Sequence, residues 1–231
     1  TAVLKLIGDA GVELFKRLFT EMKAEGAYSP DAEAAGRRAL KSAALTYLAY
    51  AENSPQRAAE AFGAADNMTE LSQALTLLAH RFPEASETTG ALASFLTRFG
   101  ENPLVIDKWF SLQATMPGED ALARVKALID HPRYNAGNPN RVRALVGMYA
   151  FSNPTGFNRR DGEGYRFLAG QILEIDPKNP QLAARILTSM RSWRSLEPTR
   201  ADQARDALMT IERSPSLSTD VRDIVERMLK G

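Results

Sequence analysis

The sequence predicts an all-α protein, a superhelical array of antiparallel helix pairs of the helical-repeat kind. Three observations lead there. The apolar period is close to 3.6 residues along nearly the whole chain. Asn-Pro pairs recur where helices would start, at 102, 138, 153 and 179. No sustained alternation of β-branched residues calls for a sheet. Short amphipathic helices in succession must bury their stripes on one another, and stacked antiparallel pairs do this. No exact repeat recurs at the periods of the common repeat families.

The elements follow in order. Ile7, Leu14, Leu18 and Met22 form a first stripe, broadened by Val3, Phe15 and Phe19, which must pack on a neighbour. Ser29-Pro30-Asp31 reads as a cap, a proline at the first helical position and an acid in the first turn. Leu40, Ala43, Ala44, Tyr47 and Leu48 share the next helix face, and Ser54-Pro55 ends it. Asn67 and Glu70 have capping-box spacing ahead of the stripe Met68, Leu71, Leu75, Leu78 and Phe82. The polar stretch Glu84 to Gly90 is the weakest seam, and residues 1–231 read as a single domain.

In the second half, Asn102-Pro103, Asn138-Pro139, Asn153-Pro154 and Asn179-Pro180 repeat one device. Asn accepts the free amide hydrogens of a helix start, and Pro lacks one that the helix does not need. Trp109 and Phe110, at helical spacing with Val105, Ile106 and Leu112, read as core rather than as an aromatic platform. Asp107 and Lys108 read as inter-helix pairs or solvated groups. Asp161 reads as a cap, and Tyr165 as packing with Leu168, Ile172 and Ile175. Glu197-Pro198 and Ser214-Pro215 mark breaks before a last stripe of Val221, Ile224, Val225, Met228 and Leu229. About a dozen short helices result, on loop-length priors.

Composition narrows the function classes. Lys+Arg 29 against Asp+Glu 28 gives +1, without the basic excess that nucleic-acid binding needs. The Arg159-Arg160 step is too small to change that. No apolar run reaches the roughly 20 residues that span a bilayer. With no cysteine there is no disulfide, Cys-zinc site or thiol nucleophile. Thr1-Ala2-Val3-Leu4 enters a helical pattern without an initiator Met, so the chain reads as an excised piece of a longer polypeptide.

Little here can do chemistry. His80 and His131 are the two histidines, too far apart for the paired helical histidines of a peptidase zinc site. His80 reads as structural and His131, before Pro132, as a solvated turn residue. The notable polar groups are cations in the first turns of helices: Arg141 and Arg143 after Asn138-Pro139, and Arg185 after Asn179-Pro180. A cation there forgoes roughly 0.3–1 kcal/mol relative to an anion. Pairing with a neighbouring helix, or solvation, is the plain account of each.

An ordered set of phrases adds a resemblance. Asp107-Lys108-Trp109-Phe110 with Leu112-Gln113-Ala114-Thr115, then Asn138-Pro139-Asn140-Arg141-Val142-Arg143, Ser152-Asn153-Pro154, Asp161-Gly162-Glu163-Gly164-Tyr165 and Asn179-Pro180-Gln181, with Asn67-Met68-Thr69-Glu70 upstream, resembles the C-terminal domain of the bacterial aminopeptidase N family. These are zinc exopeptidases of the thermolysin-like class. The resemblance implies a cytoplasmic enzyme that removes N-terminal residues from peptides, its zinc bound outside this chain. It implies a non-catalytic domain that closes the chamber over the catalytic domain of the same polypeptide and contacts the distal part of the peptide. It also implies Arg143, Gln181 and Arg185 as substrate-binding residues turned toward that chamber, with Arg141 less well placed. No catalytic residue, metal ligand, nucleic-acid partner or membrane contact is expected in the chain. A free-standing helical-repeat scaffold that binds peptides or proteins is the alternative.

Overall fold

A computed structural model describes residues 2–23 and 26–230; Thr1, which opens the first phrase, lies outside them. All regular elements among the described residues are helical, and none is a strand, as the period predicts. The helices fall into two compact units, Thr1–Arg98 and Phe99–Gly231. The boundary lies beyond the polar stretch 84–90.

The first unit contains α1 (Ala2–Ala10), α2 (Val12–Glu21), α3 (Ala32–Glu52), α4 (Gln56–Ala64), α5 (Met68–Arg81) and α6 (Ser86–Phe99). The N-terminal stripe is carried by two helices rather than one, broken at Gly11. Both pack on α3, where Phe15 stacks on Tyr47 at 4.5 Å. Gly8 permits the close approach of α1, because a Cβ there would stand 2.4 Å from the Tyr47 carbonyl oxygen. Val3, Leu6, Ile7 and Leu14 remain exposed. The start of α3 differs from the sequence reading. Asp31, not Ser29, is the cap, its carboxylate accepting from the Ala34 N–H at 2.9 Å. A carboxylate suits that end of the helix dipole. Leu40 stays largely exposed at the edge of its stripe, while Ala44 and Leu48 are buried. Asn67 caps α5 by accepting from the Glu70 N–H at 3.0 Å, and Leu71, Leu75 and Leu78 fill the core behind it.

The second unit begins with α7 (Pro103–Thr115) and α8 (Ala121–Ile129). One continuous helical run follows: α9 (Pro139–Val142), a π-helical turn at Arg143–Gly147, and α10 (Met148–Ser152). Next come α11 (Pro154–Phe157), α12 (Glu163–Ile175), α13 (Pro180–Leu187), two 3-10 turns (Thr188–Met190 and Trp193–Ser195), α14 (Pro198–Glu212) and α15 (Thr219–Lys230). The π turn packs on α7 and touches α13; α12 lies against α13 and α14, and α15 against both of those. All four Asn-Pro pairs are helix starts, with the Asn side chain accepting first-turn N–H groups and Pro at the first position. Glu197 caps α14 in the same way.

The core of this unit is aromatic. Trp109, Phe110, Tyr149, Phe157 and Tyr165 are buried, and Tyr149, Phe157 and Tyr165 meet edge to face. Each phenol finds an acceptor, Tyr149 the Gly156 carbonyl at 2.6 Å and Tyr165 Asn158 Oδ1 at 2.9 Å. Buried Asp176, at the end of α12, accepts from the N–H of Ser218 at 2.8 Å and from its hydroxyl, tying α12 to the start of α15. At the other end of α15, the Met228 carbonyl accepts from Trp193 Nε1 at 3.1 Å and from Arg194. A cation is favoured at that terminus.

Candidate functional site

The residues singled out by sequence lie on the run 139–152 and on α13, both in the second unit. Asn138 fixes the start of the run by accepting from the Asn140 N–H at 3.0 Å. Three residues in, the Arg141 side chain turns inward. It is 6% exposed, its Nε donates to Asp107 Oδ1, and its guanidinium lies 5.1 Å from the centre of the Phe110 ring. Its other arm donates to the Arg133 carbonyl, and Arg133 in turn donates to the Gly100 carbonyl at 3.1 Å. Arg141 is therefore a structural cation joining α7, α9 and the 131–135 turn. Its place near a helix N-terminus is offset by a carboxylate of a neighbouring helix, the plain account given above.

His131 belongs to the same cluster, which corrects its reading as a solvated residue. Its ring lies 5.2 Å from that of Trp109, and Nδ1 accepts from the Arg133 N–H at 3.1 Å. Burial, reinforced by the Arg133 charge, holds its pKa below the usual histidine value, so the ring is neutral at pH 7. His80 is exposed on the last turn of α5.

Arg143 does the opposite of Arg141. It opens the π turn and is exposed, while the four residues after it, Ala144 to Gly147, are buried. Its guanidinium donates to Asn140 Oδ1 at 2.9 Å and forms no ion pair among the described residues. The π turn is a structural feature beside the candidate residues that sequence reasoning missed. Single π turns inserted in α-helices are frequent at functional sites, since the extra residue shifts the phase of everything after it. No Pro or Gly pair announces this one.

Gln181 and Arg185 are one helical turn apart on α13 and both exposed, so they share a solvent face. Arg185 forms no ion pair among the described residues. Its position also needs correcting. Helix α13 is eight residues long, which puts Arg185 in its last turn, where the dipole favours a cation. The electrostatic penalty argued from sequence does not apply to it. The structure thus brings Arg143 and Arg185 onto two elements that touch, with Gln181 beside Arg185, and removes Arg141 from the set.

Nearby acids are engaged elsewhere. Asp161 does serve α12, accepting from the Glu163 N–H at 3.1 Å, but its main partner is Arg159. The hydrogen bond from Arg159 holds its pKa down to about 2. Among the described residues no group of three or more His, Cys, Asp or Glu side chains could hold a metal ion. No helix there is long and apolar enough to cross a membrane.

The domain family described as "Domain of unknown function (DUF3458_C) ARM repeats" matches residues 1–230. Aminopeptidase N of Caulobacter vibrioides is 42% identical over 220 residues, covering 94% of this chain and 25% of that protein. Aminopeptidase N of Escherichia coli K12 is 32% identical over 205 residues, covering 87% of this chain and 23% of that protein. Among solved structures, Legionella pneumophila aminopeptidase A in complex with aspartic acid superposes with a TM-score of 0.85 at 32% identity, covering 97% of this chain and 28% of that one. The chain spans about a quarter of the length of these relatives.

Proposed function

The chain belongs to the DUF3458_C family of ARM-repeat domains, and from that premise we propose that it is the C-terminal domain of a zinc aminopeptidase. The intact polypeptide removes N-terminal residues from peptides in the cytoplasm. Its two units work as one domain that closes the chamber over the catalytic domain and contacts the peptide beyond the cleaved bond. The zinc lies outside this chain, whose described residues offer no ligand set; where bound, it supplies an activated water. The exposed apolar residues of α1 and α2 support a covering neighbour, because Val3, Leu6, Ile7 and Leu14 form a stripe with nothing on it among the described residues.

The observation that carries the reading is the pair Arg143 and Arg185. Both are exposed on touching elements, and neither has a carboxylate partner among the described residues. A guanidinium presents a fixed fork of donors that matches a peptide carboxylate or carbonyl. Gln181 adds an amide on the same face as Arg185. Binding energy from such remote contacts orients the reacting centre.

The division of labour is tested on the purified chain by itself. It is expected to fold as a helical protein, to take up no stoichiometric zinc and to release no product from an aminoacyl reporter amide. Tight zinc at one site, or metal-dependent turnover, would place chemistry in this chain and contradict the reading.

A further inference from the structure

We propose that the first unit contains a binding site for a small monocarboxylate with an apolar body, its carboxylate received by Arg38. The site is a cavity of about 320 Å³ between α2, α3, α4 and α5, and it shares no residue with the set on the second unit. Arg38 lines it. The residue is 5% exposed, yet its Nε has no hydrogen-bond partner, and the side chain forms no ion pair among the described residues. Its guanidinium stacks on the Tyr28 ring at 4.6 Å, which orients the fork without neutralising it. A buried guanidinium without a counter-charge is unfavourable, so an anion placed there gains by relieving it.

The neighbouring cations are already occupied. Lys41 pairs with Glu70 and Arg57 with Glu52, each at 2.7 Å. With Glu52 counted as the partner of Arg57, the site holds four cations, Lys23, Arg38, Lys41 and Arg57, against four carboxylates, Glu52, Glu60, Asp66 and Glu70. The site therefore carries no net positive charge, which disfavours a phosphate dianion, and the buried Arg38, left without a carboxylate partner among the described residues, suits a single carboxylate. The remaining wall is mostly apolar, with Phe19, Leu45, Ala61 and Ala65 beside Thr20, Ser42 and Gln73, so the body of the ligand is a ring or a short aliphatic chain.

Phenylacetate is a suitable probe, titrated calorimetrically into the intact polypeptide. Phenylacetamide has the same body without the charge, and inorganic phosphate has charge without the body. Two variants locate the site: Arg38→Gln removes the receiving charge, and Ala64→Trp fills the cavity from its exposed rim. Saturable one-to-one binding of phenylacetate is expected, with phenylacetamide and each variant at least about tenfold weaker, the loss of a charge-assisted hydrogen bond. If Arg38→Gln fails to fold, Ala64→Trp and the amide still decide. No saturable binding, equal affinity for the amide, or unchanged binding in Ala64→Trp would overturn the proposal. Phosphate binding more tightly than phenylacetate would overturn the carboxylate assignment.

Discussion

Arg141 and Arg143 are two positions apart and have opposite fates. Arg141 meets Asp107, with the two side chains 8% and 19% exposed, so removing one partner leaves a largely buried charge. Arg141→Ala is expected to lower unfolding stability by about 2–4 kcal/mol in a urea titration, and Arg141→Met with Asp107→Leu to recover most of it. Arg143→Ala should change stability by less than about 0.5 kcal/mol, as an exposed site does. The sequence marks both as cations near a helix start, but it does not reveal which one turns inward. That depends on how α9 docks on α7, which no local pattern encodes. Asp161 offers a pH test at the same scale. The Arg159 hydrogen bond depresses its folded pKa to about 2, below the unfolded value. Its contribution is therefore full above the unfolded pKa near 4 and is lost as pH falls through about 2. The side chain is 45% exposed, so the contribution is screened to less than about 1 kcal/mol. Asp161→Asn should flatten the loss of stability between about pH 4 and pH 2; an unchanged acid limb would contradict this.

The helix starts were the most legible feature at the level of elements, because Asn-Pro is local chemistry. An Asn side chain reaches its own helix's amides whatever the tertiary setting. What the motif does not disclose is that the four caps are unequal. Asn102 is exposed and only caps. Asn153 is 2% exposed and works in both directions: Oδ1 accepts from the Gly156 N–H at 3.0 Å, and Nδ2 donates to the carbonyls of Ala114 and Met116 at 2.9 and 3.0 Å. It caps α11 and ties off the end of α7 at once. Asn102→Ala should cost about 1 kcal/mol, and Asn153→Ala about 2–3 kcal/mol, since it also removes the side-chain donor to the buried Ala114 carbonyl, while the Met116 carbonyl keeps Arg124. Asn153→Asp keeps the cap but loses the donor, so it should fail to rescue; thermal unfolding of the three variants checks the order. Gly164 is a second element-level constraint, because a Cβ there would lie 2.1 Å from the Phe157 carbonyl oxygen. Gly164→Ala must push α12 away from α11 and should lower the melting temperature despite the better helix propensity of Ala. The π turn was not legible at all. Its phase shift comes from packing Ala144 to Gly147 against α7, and the amphipathic pattern on either side reads as ordinary helix.

For the whole molecule, the helical-repeat class was legible from period and punctuation, while the candidate site was legible only as a list of residues. Arg143 and Arg185 share exposure and the lack of a carboxylate partner among the described residues with other surface cations such as Arg160, Lys178 and Arg213; the resemblance picks out these two, and tertiary structure adds that they lie on elements that touch. The central claim is that these groups handle the substrate beyond the cleaved bond and carry none of the chemistry. The direct measurement is kcat/KM for a tripeptide and for a single-residue reporter amide, on the intact polypeptide and its Arg143→Ala and Arg185→Ala variants. The account predicts a loss of about tenfold to a hundredfold on the tripeptide and almost none on the reporter, a charge-assisted hydrogen bond being worth roughly 1.5–3 kcal/mol. Lys at either position should restore part of the loss, because a point charge lacks the planar fork. Equal losses on both substrates with folding intact, or no loss on either, would contradict it.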